Sequence, residues 1–142
     1  NLRSSCVEQG EDIVASASFD VVATRTNTSG ARQLVLPYFA TVVQGGRVVV
    51  SKRISTIVLN FADGARRAEA KGSATGYVNH AAAKLPPQVQ ERLTRKRKAG
   101  DADAALDPLA DPDIRAAVQK ASFELLVGFQ LTDEQLKYNA TR

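Results

Sequence analysis

The sequence predicts an all-β domain: an antiparallel β-sandwich of the immunoglobulin or fibronectin type, interrupted by one helical insertion. Three observations carry this. Gln33 to Asn60 (QLVLPYFATVVQGGRVVVSKRISTIVLN) reads as two long strands joined at Gln44-Gly45-Gly46. Ile13 to Thr24 alternates with period two along its whole length, and Ser122 to Leu131 (SFELLVGFQL) alternates again near the end of the chain. Period two is the mark of a half-buried strand, and a run of strands broken once by a helical passage fits a sandwich with an insertion. The alternative is an α+β domain whose central helix packs on one sheet.

A length of 142 residues suits one domain, 1–142, with enough chain to bury a core. Val and Ala dominate the apolar share while Trp and Met are absent, so the core is expected to be thin and sheet-like. The net charge of +4 is modest and spread along the chain, unlike the concentrated basic footprint of a nucleic-acid groove. No apolar run is long enough for a membrane-spanning helix.

The elements follow in order. Leu2, Ser4 and Cys6 alternate as a strand with Cys6 facing inward, which predicts a buried, chemically quiet thiol, since a free Cys behaves as a small hydrophobe. Asn27 to Gly30 is a turn. In the central hairpin, a three-residue loop, Gln44 to Gly46, pairs Val42 with Val48, Ala40 with Val50 and Leu36 with Ile54. A two-residue loop at Gly45-Gly46 pairs Leu36 with Ser55 and Ala40 with Ser51 instead. Burial favours the first, because a one-residue slip swaps the faces. Pro37 cannot donate to a ladder and predicts an edge position or a bulge.

Ala62-Asp63-Gly64 is a second turn, and Arg66 to His80 is a strand whose one face is small (Ala68, Ala70, Gly72, Ala74, Gly76, Val78), suited to close packing against a facing sheet. The texture changes at Lys84, where a charged helical insertion over 84–113 begins. Pro86-Pro87 opens a helix carrying Val89 and Leu93, and Asp111-Pro112 is an N-cap and first turn for a short helix carrying Ile114. The last strand carries Phe123, Leu125, Val127, Phe129 and Leu131 on one apolar face, which is expected to face inward and to form the stability core with the Gln33–Asn60 hairpin; after it, Thr132 to Gln135 has the spacing of a capping box and predicts a closing helix.

Two passages carry a family resemblance: Leu36 to Lys52 (LPYFATVVQGGRVVVSK), and Val127 to Asn139 (VGFQLTDEQLKYN). Together they resemble uncharacterised envelope lipoproteins of alphaproteobacteria, with a P-x-F strand, a Gly-Gly hairpin and a terminal V-G-F-Q-L-T-x-E-x-L-x-Y-N motif. The resemblance runs from Cys6 to Asn139. It implies a periplasmic place at the outer membrane and an anchoring segment upstream of residue 1, and it brings no catalytic residues with it. The stretch from Lys84 to Asp113 is longer than that pattern.

Candidate chemistry is sparse. His80 is the single histidine, and Ser73 to Thr75 does not form the G-x-S-x-G elbow of a hydrolase. A thiol–imidazole pair would have to join Cys6 to His80, and one Cys with one His is short of the three or four ligands of a zinc site. Gly45-Gly46 lacks the spacing of a phosphate loop. Asp101, Asp103 and Asp107 resemble a calcium loop, but Ala105 and Leu106 fall where a ligand and a Gly are needed. The basic cluster Arg92, Arg95, Lys96, Arg97 and Lys98 is the sharpest charge feature and the candidate interaction surface. It can meet a partner or anionic lipid head groups, or pair with the acidic residues beside it, and no aromatic interleaves it as nucleic-acid binding prefers.

The expectation is a non-catalytic periplasmic accessory or scaffolding subunit of an envelope or membrane complex. It would contact other envelope or membrane proteins through sheet edges and loop faces, with no cofactor, metal or nucleic acid. The alternative is a small-ligand or lipid-binding module using the space between sheet and inserted helix. A closed core marks the first and a sizeable apolar cavity the second.

Overall fold

The computed structural model describes residues 1–96, 100–101 and 106–141. Six strands form two three-stranded antiparallel sheets: β1 (Leu2–Gln9), β2 (Asp12–Thr24) and β5 (Arg67–Asn79) in one, and β4 (Val48–Phe61), β3 (Arg32–Gln44) and β6 (Phe123–Phe129) in the other. The spatial orders are β1-β2-β5 and β4-β3-β6. Between β5 and β6 lie α1 (Pro87–Thr94) and α2 (Pro112–Ala121), each preceded by a short 3-10 turn, and α3 (Asp133–Ala140) follows β6. This is a β-sandwich with a helical insertion, not an α+β domain: α1 buries no residue, and α2 buries only Ile114.

The small face of β5 is what lets the sheets approach. A Cβ on Gly72 would stand 2.5 Å from the Phe19 ring and 2.6 Å from Ile57 Cδ1, and one on Gly76 would stand 2.5 Å from Val42 Cγ2. The core gathers Val21, Tyr38, Ile57, Leu59, Phe61 and Ala68. Tyr38 spans the layers, donating its hydroxyl to the Ser73 carbonyl at 2.6 Å and meeting Phe19 edge to face.

Four expectations are corrected. Cys6 is exposed, as is every residue of β1, because nothing packs on the face that alternation assigned to the interior. The central hairpin takes neither expected register. Its loop is Gly45-Gly46-Arg47, pairing Gln44 with Val48 and Val43 with Val49, after which a bulge leaves Val42 opposite Ser51 and Leu36 opposite Ile57. The bulge switches the faces of β4: Val48, Val50 and Ile54 are exposed, while Ile57, Leu59 and Phe61 are buried. Pro37 lies in the central strand of its sheet, not at an edge or bulge. It sits where β6 stops; its carbonyl accepts from Gln130 N–H, and the donor it lacks would have continued the ladder there. Finally, β6 flanks the core without completing it: only Val127 packs against the core cluster, partly buried, and Phe129 is 48% exposed.

Candidate functional site: an open slot between two strand edges

The sandwich is closed on one side and open on the other. On the β4–β5 side the sheets are in contact, and the Arg53 guanidinium lies over the Tyr77 ring. On the β1–β6 side they part, leaving an apolar slot of about 830 Å³. Leu2, Ser4 and Cys6 of β1 form one wall and Phe123, Leu125, Val127 and Phe129 of β6 the other, with Phe19, Val21 and Tyr38 at the floor. The slot continues past Cys6 and Phe123 into a smaller cavity of about 200 Å³, bounded by Ala83 and Ala121. Cys6 and Phe123 therefore share this end, and β1 and β6 run in opposite directions along the slot.

The ladder bonds fix which backbone groups face the opening. In an antiparallel pair, alternate residues exchange hydrogen bonds with the partner strand and the others point away. Gln130 N–H donates to the Pro37 carbonyl and Gly45 N–H to the Ser122 carbonyl. With the β3–β6 register, these place the even-numbered residues of β6 on β3 and turn the N–H and C=O of Phe123, Leu125, Val127 and Phe129 toward the free edge. The bond from Asp20 N–H to the Asn1 carbonyl does the same for β1: its odd residues bond β2, and Leu2, Ser4 and Cys6 present their backbone outward. On both walls the alternate residues Leu2, Ser4 and Cys6, and Phe123, Leu125, Val127 and Phe129, line the slot and also turn their backbone to its mouth; Ser5, Leu126 and Gly128 border it as well.

The strand orders explain the gap. β1-β2-β5 and β4-β3-β6 are the orders A-B-E and C′-C-F of an immunoglobulin-type sandwich, where a further strand G pairs with the outer edge of F. Among the described residues no strand pairs with that edge of β6, and the residues after it turn into α3. No protein-family model, curated protein or solved structure matches this chain.

The predicted basic surface lies elsewhere. Arg92, Arg95 and Lys96 lie on α1 or just beyond it and none of them lines the slot; Arg97 and Lys98 lie outside the described residues, as does Asp103. Arg92 pairs with Asp111 at 2.9 Å, so this cation is matched by the acidic stretch beside it. Asp111 also caps α2, accepting from Asp113 N–H, and that bond holds its carboxyl below the usual range, with help from Arg92. Asp107 caps the 3-10 turn Pro108–Ala110 through Leu109 N–H. His80 Nε2 stands 3.6 Å from Glu8 Oε1 at the end of β1.

Sequence reasoning missed the slot, although its signal was present: β1 and β6 were both assigned inward faces, and the strand count stopped at six before a predicted helix. It also missed Arg25. Its guanidinium donates to the carbonyls of Ala65, Thr28 and Ala62 and lies over the Phe61 ring, locking together the two loops at the closed end of the core.

Proposed function

We propose that this chain is a non-catalytic accessory or scaffolding subunit of an envelope complex, working in the periplasm through protein–protein contact at its open sheet edges. The observation that carries this is the slot: an apolar trough flanked by two strand edges whose backbone donors and acceptors have no partner strand among the described residues. Such an edge is a template for another chain. The envelope setting rests on the family resemblance of the hairpin and the terminal motif, which also supports an anchor upstream.

A second reading has an observation of its own. A sizeable apolar cavity was the expected mark of a small-ligand or lipid-binding module, and the slot is such a cavity, although it lies between the sheets and only its far end reaches the helical region at Ala83 and Ala121. An acyl chain would fill the trough but leave the edge N–H and C=O groups to water, so the geometry favours a protein partner. Affinity isolation from bacterial membranes with mass spectrometry separates the two. Reproducible co-purification of envelope proteins supports the accessory subunit; lipid recovered in stoichiometric amount with no protein partner supports the second reading.

A further inference from the structure

We propose that the slot is a strand acceptor: an extended segment of a partner protein adds to the free edge of β6 in antiparallel direction, and its alternate aliphatic side chains fill the trough. This rests on the protein-contact reading above and names the chemistry of the partner. Three features select a strand. The edge-facing N–H and C=O groups of Phe123, Leu125, Val127 and Phe129 recur at every second residue, the repeat of a β-ladder. The side chains of the same four residues line the slot, so a guest residue bonded to one of them points its own side chain into the trough. β1 runs opposite to β6 across the slot, so the guest runs parallel to it, with Leu2, Ser4 and Cys6 beneath the guest's inward side chains.

Charge complementarity adds a further condition. Among the described residues the main slot is lined by one carboxylate, Asp20, already bonded to Asn1 Nδ2 at 2.9 Å, and Glu124 borders only the smaller cavity at its end, so the guest's inward residues are uncharged. On the outer face, β6 presents Glu124, Leu126 and Gly128. The guest residue opposite Glu124 sits in a non-hydrogen-bonded pair, where side chains approach most closely, and a Lys or Arg there completes an ion pair. The guest is thus an extended segment with aliphatic residues at alternate positions and a basic residue on its outer face toward the Phe123 end of β6.

The test uses the full chain and a blocked peptide of about nine residues, the length of an ordinary strand, alternating Val and Thr with Lys opposite Glu124. Amide hydrogen exchange by NMR is the direct readout. The peptide is expected to protect the amides of Phe123, Leu125, Val127 and Phe129 and to leave Leu126 and Gly128, already bonded to β3, little changed. Replacing its Lys by Glu is expected to weaken binding about two- to fivefold, and Glu124→Lys to reverse that preference, the scale of a cross-strand ion pair. Val127→Pro removes an edge donor that faces away from β3, a place where a strand tolerates Pro, and is expected to abolish binding.

Absence of protection up to about 1 mM peptide, the weakest affinity of interest, overturns the proposal. So does protection at other amides, or a saturated fatty acid that occupies the slot where the peptide does not. Should Val127→Pro unfold the domain, the exchange experiment on the unaltered chain still decides. Two outcomes separate this inference from the reading beneath it. Envelope partners captured equally by the folded Val127→Pro variant sink the strand acceptor and leave the accessory subunit standing. Peptide protection of the four amides with nothing captured from membranes does the reverse.

Discussion

At the scale of single residues, the same alternation led to opposite outcomes in β4 and β6. Leu59 is completely buried between the sheets, whereas Phe129, on an equally regular apolar face, is about half exposed because its face looks into the slot. Leu59→Ala is expected to cost about 2–5 kcal/mol by chemical denaturation, the transfer term plus a cavity. Phe129→Ala is expected to cost only about 1 kcal/mol, since roughly half of its burial is available to lose. Full burial of Phe129 would have required the larger figure, so a loss of about 3 kcal/mol or more would mean the slot is closed in solution. Arg25 makes a second case. Its planar fork reaches three carbonyls at once while stacking on Phe61, which an ammonium cannot do. Arg25→Lys is therefore expected to destabilise by about 1–3 kcal/mol, and a neutral Arg25→Lys in thermal denaturation would show that the loops at that end hold without it. Nothing in the sequence around Arg25 distinguishes it from the other cations, because its partners are backbone carbonyls, one in its own turn at Thr28 and two in a distant loop at Ala62 and Ala65.

At the scale of elements, most of the architecture was legible. The strands fall where period two placed them, Thr132 and Gln135 form the capping box, and Asp111 caps α2. What failed was registration. Apolar residues stand on both faces of β4, at Val48, Val50, Ile54 and Val58 as well as at Ile57, Leu59 and Phe61, so no count of apolar residues could show that only the odd positions well beyond the bulge are buried. The cap of α2 makes an element-level prediction. The Asp113 N–H bond, and less strongly Arg92, favour the ionised form of Asp111 and lower its pKa from 3.8. A depressed carboxyl pKa contributes stability that is fully present above the unfolded value and disappears as pH falls through the folded value. Loosening of α2 should therefore begin only below about pH 4 and be complete once Asp111 is protonated. NMR titration of the Asp111 carboxyl is expected to give a midpoint below 3.8, and Asp111→Asn should keep the cap while removing this part of the acid sensitivity. A midpoint at or above the ordinary value would show that the cap bond is not made in solution.

For the whole molecule, the faces of β1 and β6 could be read from sequence, but their failure to meet could not, because that depends on how two sheets close and on a strand the described fold does not supply. The insertion can be judged the same way, by what it buries. α1 has no fully buried residue, and Val89 and Leu93 are partly buried; among the described residues the first fully buried one after β5 is Ile114, just beyond the insertion. The docking of α2 onto the hairpin loop is also made beyond it, through Gln44 Nε2 to the Lys120 carbonyl, Gln119 Nε2 to the Gly45 carbonyl and Gly45 N–H to the Ser122 carbonyl. Replacing residues 85–106 with a Gly/Ser linker of about ten residues should therefore leave the strand signal in circular dichroism and most of the thermal stability, since closure entropy changes slowly with loop length. The shorter replacement already takes Arg92 from Asp111; extending it through 84–113 removes the Asp111 cap of α2 as well, so it should cost clearly more and expose Ile114 to exchange while the two sheets persist. Association with membranes or partners that depends on Arg92, Arg95 and Lys96 should weaken in both variants, and in the unaltered chain it should fall with rising salt. If the shorter replacement alone unfolds the domain, α1 supports the core after all. If both variants fold and every association survives, the insertion is a solvated excursion and contact is made only through the sheet edges.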